Sequence, residues 1–290
     1  GSPTASNYNI TTKNGTLTIT HKLLAKPSAT TTSFTYDGTA KQVVVSGYDS
    51  NTMNRSGHSA TNAGSYTATY SLKTTNYQWI GGTTADVKIN WTIAKATVGK
   101  PSITGATSFV YSGSSHSPSI VTNSAYTISG NIATTVGSYN AIVALKDTAN
   151  YSWTDGTTAN ISLAWSITPL ALTIPTASGT PSYEYNAANR TLSLSNFNSA
   201  TMNITGNVYK NAGSYTAVIS LKDTTNYRWV GGTTTNKSIA WTITKASLTV
   251  TANNKSKMYG NALPTFDVSY SAFKGSDTAS TAITGSFTLS

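Results

Sequence analysis

The chain has no cysteine, which removes disulfide frameworks, thiolate zinc sites and thiol nucleophiles from consideration. Charge is nearly as scarce: Asp, Glu, Lys and Arg make up 10% of the residues, and Glu184 is the single glutamate. Glycoside hydrolysis by paired acids needs two carboxyl groups facing one bond, and the nine acidic residues here are too few and too scattered to supply them. His21, His58 and His116 have no acidic or serine partner at matching places, so no nucleophilic triad is legible. No apolar run approaches the roughly 20 residues that cross a bilayer, so no membrane insertion is expected. Helical periodicity is also missing. An enzyme, a cofactor and a metal centre are therefore not expected.

The net charge is +10 and the isoelectric point about 9.6. The basic residues stand singly, however, with no stripe of Lys and Arg interleaved with aromatics, and this argues against nucleic acid as a partner. The remaining surface is Ser, Thr, Asn and Gly with a mild cationic bias, suited at most to weak contact with anionic polymers.

What the chain does have is repetition. One paragraph of sequence begins at Gly64, Gly137 and Gly213, a period of 73 to 76 residues. All six tryptophans fall inside it, as Trp79/Trp91, Trp153/Trp165 and Trp229/Trp241, always twelve apart. A tandem array of one module follows, overriding the two domains that length alone suggests. The repeats are placed at residues 23–96, 97–170 and 171–246, with partial modules at 1–22 and 247–290.

Within each repeat apolar and polar residues alternate. Tyr66, Ala68, Tyr70 and Leu72 share one strand face, as do Tyr139, Ala141, Val143, Leu145 and Tyr215, Ala217, Ile219, Leu221. A closing strand presents Ile89, Trp91, Ile93, then Leu163, Trp165, Ile167, then Ile239, Trp241, Ile243. Before it, Gly81-Gly82, Asp155-Gly156 and Gly231-Gly232 supply hairpin loops needing positive φ. Short strands at regular spacing with Gly, Asn and Asp at the turns indicate an all-β, antiparallel β-sandwich architecture. The joints Ala94-Lys95-Ala96, Thr168-Pro169-Leu170 and Thr244-Lys245-Ala246 are too short to be flexible linkers, so the repeats are expected to stand end to end as an extended rod.

The segment from Asn254 to Ser290, NKSKMYGNALPTFDVSYSAFKGSDTASTAITGSFTLS, resembles the opening of the MBG-type repeat of large bacterial surface proteins, and SNYNITTKNGTLTIT, from Ser6, resembles its ending. The central units, with FTYDGTAKQ, NAGSYTA, SLKDTTNYRW and W-T-I-x-K-A, resemble the YDG-like, bacterial Ig-like repeats that accompany it. The resemblance implies tandem Ig-like domains in an extracellular stalk at a bacterial surface or cell wall, and motifs that are structural rather than catalytic. A strand with the pattern V-G-x-Y-x-I is missing from both end pieces.

Two readings of function remain. In one the chain is a structural spacer in a surface adhesin that projects a distal domain. In the other the same repeats bind host or matrix glycans or mucin directly. Recurring aromatics occupy inward positions and read as core, so the candidates for surface ligand contact are the non-repeated Tyr48, Tyr126, Phe197 and Tyr209. Asp37, Asp49 and Asp155 sit in turns where calcium could lodge, but without an alternating acidic run they read as turn formers. Lys73, Lys146 and Lys222 recur after an inward leucine; a Lys–Asn crosslink is conceivable there, and a solvated lysine fits the alternation better. Thr16, Thr18 and Thr20 form an outward threonine ladder against Leu17 and Ile19. A monomer is expected, with an unpaired strand edge at either end the one feature that favours association.

Overall fold

The computed structural model describes residues 4–285. Strand dominates, and the one helix among the described residues is Ala279–Ala282. In the first repeat a central strand, Gly64–Leu72, is flanked by the antiparallel strands Met53–Ser56 and Val87–Ala94. Ser33–Thr35 adds to the far edge of Val87–Ala94 in parallel orientation. The third repeat reproduces this order with Met202–Thr205, Gly213–Leu221, Lys237–Thr244 and Ser182–Glu184. Against each such sheet lie short two-stranded pieces, among them Lys22–Leu24 paired in parallel with Tyr77–Trp79 and Leu170–Leu172 paired with Tyr227–Trp229. The expected sandwich is there, with parallel edge pairs that alternation alone does not reveal.

Contacts group the chain into two compact units. Unit 1 holds Gly1–Thr104, Ile120–Ser129 and Ala141–Leu163; unit 2 holds Gly105–Ser119, Gly130–Asn140 and Ala164–Ser290. Each therefore contains one whole repeat and a share of the middle one. In unit 1, Tyr126–Ser129 pairs antiparallel with Ile142–Leu145. In unit 2, Ser108–Val110 pairs parallel with Ser166–Thr168.

The core is built around the tryptophans. Trp91, Trp165 and Trp241 are 1%, 3% and 1% exposed, and Trp79, Trp153 and Trp229 are wholly buried. Each closing-strand indole lies between two rings. Tyr66, Tyr139 and Tyr215 pack on one side at 4.9, 4.8 and 5.3 Å, and Phe34, Phe109 and Tyr183 meet it edge-on at 6.0, 6.0 and 5.9 Å. A buried indole N–H needs an acceptor. Gly57, Gly130 and Gly206 supply it through their carbonyls at 2.9, 3.1 and 3.0 Å. The second tryptophan donates to Ala85, Ala159 and Thr235 carbonyls at 2.9, 2.8 and 2.9 Å. Tyr66, Tyr139 and Tyr215 donate their hydroxyls to the carbonyls of Asn62, Thr135 and Asn211, pinning the start of the central strand in the manner of a tyrosine corner.

Residues 4–21 differ from the reading of the sequence. No strand forms there, and Leu17 and Ile19 are 87% and 88% exposed, so the threonine ladder at 16, 18 and 20 is not present. Alternation marks a strand only where another strand takes up its N–H and C=O groups.

Two buried side-chain atoms among the described residues have no hydrogen-bond partner, the Nδ1 of His58 and the hydroxyl of the fully buried Tyr70. The residues that match Tyr70, Val143 and Ile219, are apolar.

The acceptor glycines explain how the tryptophans are held. Gly206 has φ +69°, and a Cβ placed on it would lie 2.3 Å from the Thr216 carbonyl oxygen. Gly232 has φ +90° with open space around it. Gly206→Ala should therefore destabilise the chain by about 3 kcal/mol, combining backbone strain and overpacking, and Gly232→Ala by about 1 kcal/mol from strain alone. Urea unfolding of the two variants, read at tryptophan fluorescence, checks the ranking; equal losses would show that the close approach at Gly206 is not limiting.

Candidate functional site

The four aromatic candidates do not converge. Tyr126 is 5% exposed, with its ring 5.9 Å from Trp153 and its hydroxyl donated to the Val121 carbonyl at 2.5 Å. Its role as a surface contact is thereby corrected: it occupies the position of Met53 and Met202 on the matching strands, both of which are 3% exposed. Tyr48 and Phe197 occupy equivalent places in the first and third repeats and are half-buried. Tyr48 leans on Tyr70 at 5.6 Å and carries the Arg55 guanidinium 4.8 Å above its ring. Phe197 packs on the cluster of Met202, Ile219, Leu221 and Trp229. Tyr209 is 41% exposed, but one face is covered by Tyr215, stacked at 3.8 Å.

The other polar candidates are engaged locally. Lys73, Lys146 and Lys222 are exposed, and Lys73 and Lys222 donate to the carbonyls of Ser50 and Ser199. Asp37, Asp49 and Asp155 accept from the backbone N–H of Thr39, Asn51 and Thr157, two residues on. Hydrogen bonds from the Lys41 and Thr39 side chains hold the Asp37 carboxyl well below the usual carboxylate range, and Lys100 does the same for Asp155. Among the described residues no group of three His, Asp or Glu could hold a metal ion.

A site that recurs lies instead at the joints. In unit 1 the side chain of Asn150, 5% exposed, accepts from the backbone N–H of Ala63 at 2.7 Å. Its amide donates to Asp147 at 2.7 Å and to the Asn62 side chain at 3.3 Å. In unit 2 Asn226, 8% exposed, accepts from Val136 N–H at 2.9 Å and donates to Asp223 at 2.6 Å. Ala63 and Val136 are matching residues of the loop that precedes the central strand, one repeat earlier. Beside each amide bridge two tyrosines meet edge to face: Tyr36 with Tyr151 at 5.4 Å and Tyr111 with Tyr227 at 5.5 Å. Lys95 adds a bond to the Thr148 carbonyl at 2.7 Å.

The chemistry of this joint is mechanical. A buried primary amide with its oxygen and N–H₂ engaged fixes one docking angle, because any other leaves polar groups dry. The first repeat carries Asn76 at the matching place, exposed and without the aspartate, since that loop is one residue shorter. Sequence shows the recurrence of Asp-x-x-Asn before Tyr-x-Trp in the last two repeats. It does not show the acceptor's donor, 87 and 90 residues away.

The third repeat meets a different neighbour. In unit 2, Thr249–Ala252 pairs antiparallel with Val268–Ser271. The loop that follows places Asp277 against the Tyr185 hydroxyl at 2.9 Å and Lys274 against Glu184 at 3.0 Å. Asp277, by accepting that bond, pushes the Tyr185 phenol above its ordinary range.

Residues 248–290 match the profile of the MBG domain, YGX type. This is the module whose opening the end of the chain resembles. A search of curated proteins finds no match. Among solved structures, SGBP-B of the Bacteroides ovatus mixed-linkage glucan utilization locus, bound to a mixed-linkage heptasaccharide, is 13% identical over 82% of this chain and 72% of its own, with a TM-score of 0.16. A Dscam structure is 10% identical over 86% and 84%, with a TM-score of 0.20. The extracellular cadherin domains 1–5 of protocadherin gamma B2 are 10% identical over 76% and 60%, with a TM-score of 0.23. Superpositions this poor carry no argument about ligand or shape. No helix among the described residues is long and apolar enough to cross a membrane.

The joint carries a pH dependence. The Asp147 carboxyl is held below its ordinary value by the amide of Asn150, and Asp223 is lowered by the backbone and side-chain N–H groups of Asn226. Depressed folded values mean that the stabilisation is full above the unfolded carboxyl value of about 4 and is lost as pH falls through the folded one. As pH falls below about 4 the intact chain should lose melting temperature, and an Asp147→Ser/Asp223→Ser variant should lose less. Parallel curves for the two proteins would remove the aspartates from the joint's account.

Proposed function

We propose that the chain is a non-enzymatic stalk segment of a bacterial cell-surface adhesin, extracellular and monomeric, whose repeats stack into a stiff rod that projects a distal domain. The observation that supports this best is the same amide bridge at both inner joints, Asn150 to Ala63 and Asn226 to Val136. A spacer needs every joint set at one angle, and a buried hydrogen-bonded amide flanked by edge-on tyrosines does that without a linker to bend. The MBG match at 248–290 supports the same setting, since the resembling modules belong to large surface proteins.

Direct glycan binding would call for open aromatic faces at matching places in several repeats. The six recurring tryptophans are buried, and within 23–246 Tyr209 is the one aromatic among the exposed large apolar residues. Host or matrix glycans are therefore the second choice of partner.

Small-angle scattering tests the proposal. With each repeat on the order of 35–45 Å long from strand dimensions, the chain in solution should reach a maximum dimension above about 100 Å with the profile of a stiff rod. Asn226→Ala and Asn150→Ala should shift the profile toward a flexible chain while leaving tryptophan fluorescence unchanged. A compact, near-spherical particle would overturn the proposal.

A further inference from the structure

At one turn the third repeat departs from the other two in a way that bears on its neighbour. Thr35-Tyr36-Asp37-Gly38 and Val110-Tyr111-Ser112-Gly113 become Glu184-Tyr185-Asn186-Ala187, and this brings in the chain's one glutamate. Gly38 and Gly113 sit at φ +83° and +80°, and Ala187 keeps that left-handed conformation at φ +61°. A side chain there crowds the following carbonyl, so the turn holds strain that glycine would release.

Two of the changed residues, Glu184 and Ala187, face the MBG segment. A Cβ built on Gly275 would lie 2.8 Å from the Ala187 methyl group, so residue 275 has no room for a side chain. Glu184 pairs with Lys274 at 3.0 Å, and Tyr185 donates to Asp277 at 2.9 Å. The tyrosine that meets another tyrosine ring at the inner joints thus meets a carboxylate here. Ala212, matching Ala63 and Val136, receives no asparagine; it borders a cavity of about 310 Å³ together with Tyr185, Lys245 and Phe273.

We propose that Glu184-Tyr185-x-Ala187 is a docking face specific for an MBG-type module, recognised through the pattern Lys274-Gly275-x-Asp277. Glu184 reads the lysine, Tyr185 the aspartate, and the Ala187 methyl the absence of a side chain at 275. The faces of the first two repeats carry Thr35 or Val110 at the place of Glu184 and glycine at the place of Ala187, and accept instead a repeat carrying a buried asparagine. Module order along the chain is then written in the turn of the preceding repeat. The inference stands whether or not the array serves as a stalk.

Hydrogen exchange of the intact chain tests it, comparing segment 268–285 with the central strand 213–221 of the same repeat. Ala187→Gly removes strain from the third repeat and also removes the docking methyl, so structural and docking roles predict opposite results. Ala187→Gly and Glu184→Thr should each speed exchange of 268–285 by about fivefold or more while 213–221 keeps its protection. Raising salt to about 1 M should speed the same segment in the wild type by screening Lys274 and Glu184. The proposal is overturned if 268–285 is unprotected in the wild type, if its exchange is unchanged in both variants, or if 213–221 loses protection in step with it.

Discussion

A buried indole cannot leave its N–H dry, and each repeat is organised around meeting that demand twice. The closing-strand tryptophan needs a carbonyl directly over its nitrogen, and the chain supplies one by turning sharply at Gly57, Gly130 or Gly206, where the backbone passes too close to the next strand for a side chain. The ring is then fixed between a tyrosine face and an aromatic edge. That tyrosine ties its own hydroxyl to the residue four positions back, which sets the start of the central strand. Because the loop so pinned contains Ala63 or Val136, the core tryptophan indirectly positions the N–H that the next repeat's asparagine will find.

The joint is therefore an extension of the core rather than a linker between cores. Asn150 and Asn226 are as buried as many apolar residues, and the aspartates beside them keep their amides from being stranded. A tyrosine pair alone contributes about 1 kcal/mol and could slide; the amide adds direction. The MBG segment meets the third repeat through different chemistry, a carboxylate, an ammonium group and a methyl-to-glycine contact. On the third repeat's side the glutamate and the alanine methyl stand where the two counterpart turns have Thr35 or Val110 and glycine.

Much of this was legible in the sequence. The alternation of Tyr215, Ala217, Ile219 and Leu221 fixed a strand and its inner face, the twelve-residue tryptophan spacing gave the period, and KGSDTAS belonged to a segment recognisable as MBG-like. Tyr126 taken alone reads as a surface ring, whereas aligned with Met53 and Met202 it falls on a core position. Leu17 and Ile19 misled because alternation says nothing about whether a partner strand exists. The parallel edge strands and the joint amides could not be read at all, since each depends on a distant partner, as Lys22 on Tyr77 or Val136 on Asn226, and a single sequence marks neither end as belonging to the other. Glu184 stands out in the sequence for its rarity, but its meaning appears only beside Lys274.

The central claim is that a buried asparagine sets the angle between consecutive repeats. The absence of cysteine makes the most direct measurement straightforward: spin labels introduced at the exposed positions Ile132 and Val230, 67% and 58% accessible, report the distance across the second inner joint by double electron–electron resonance. The account predicts one narrow distance distribution in the wild type, and a broad one when Asn226 is replaced by alanine with the tryptophan cores intact. A broad distribution in the wild type, or a narrow one that survives the loss of Asn226, would contradict it.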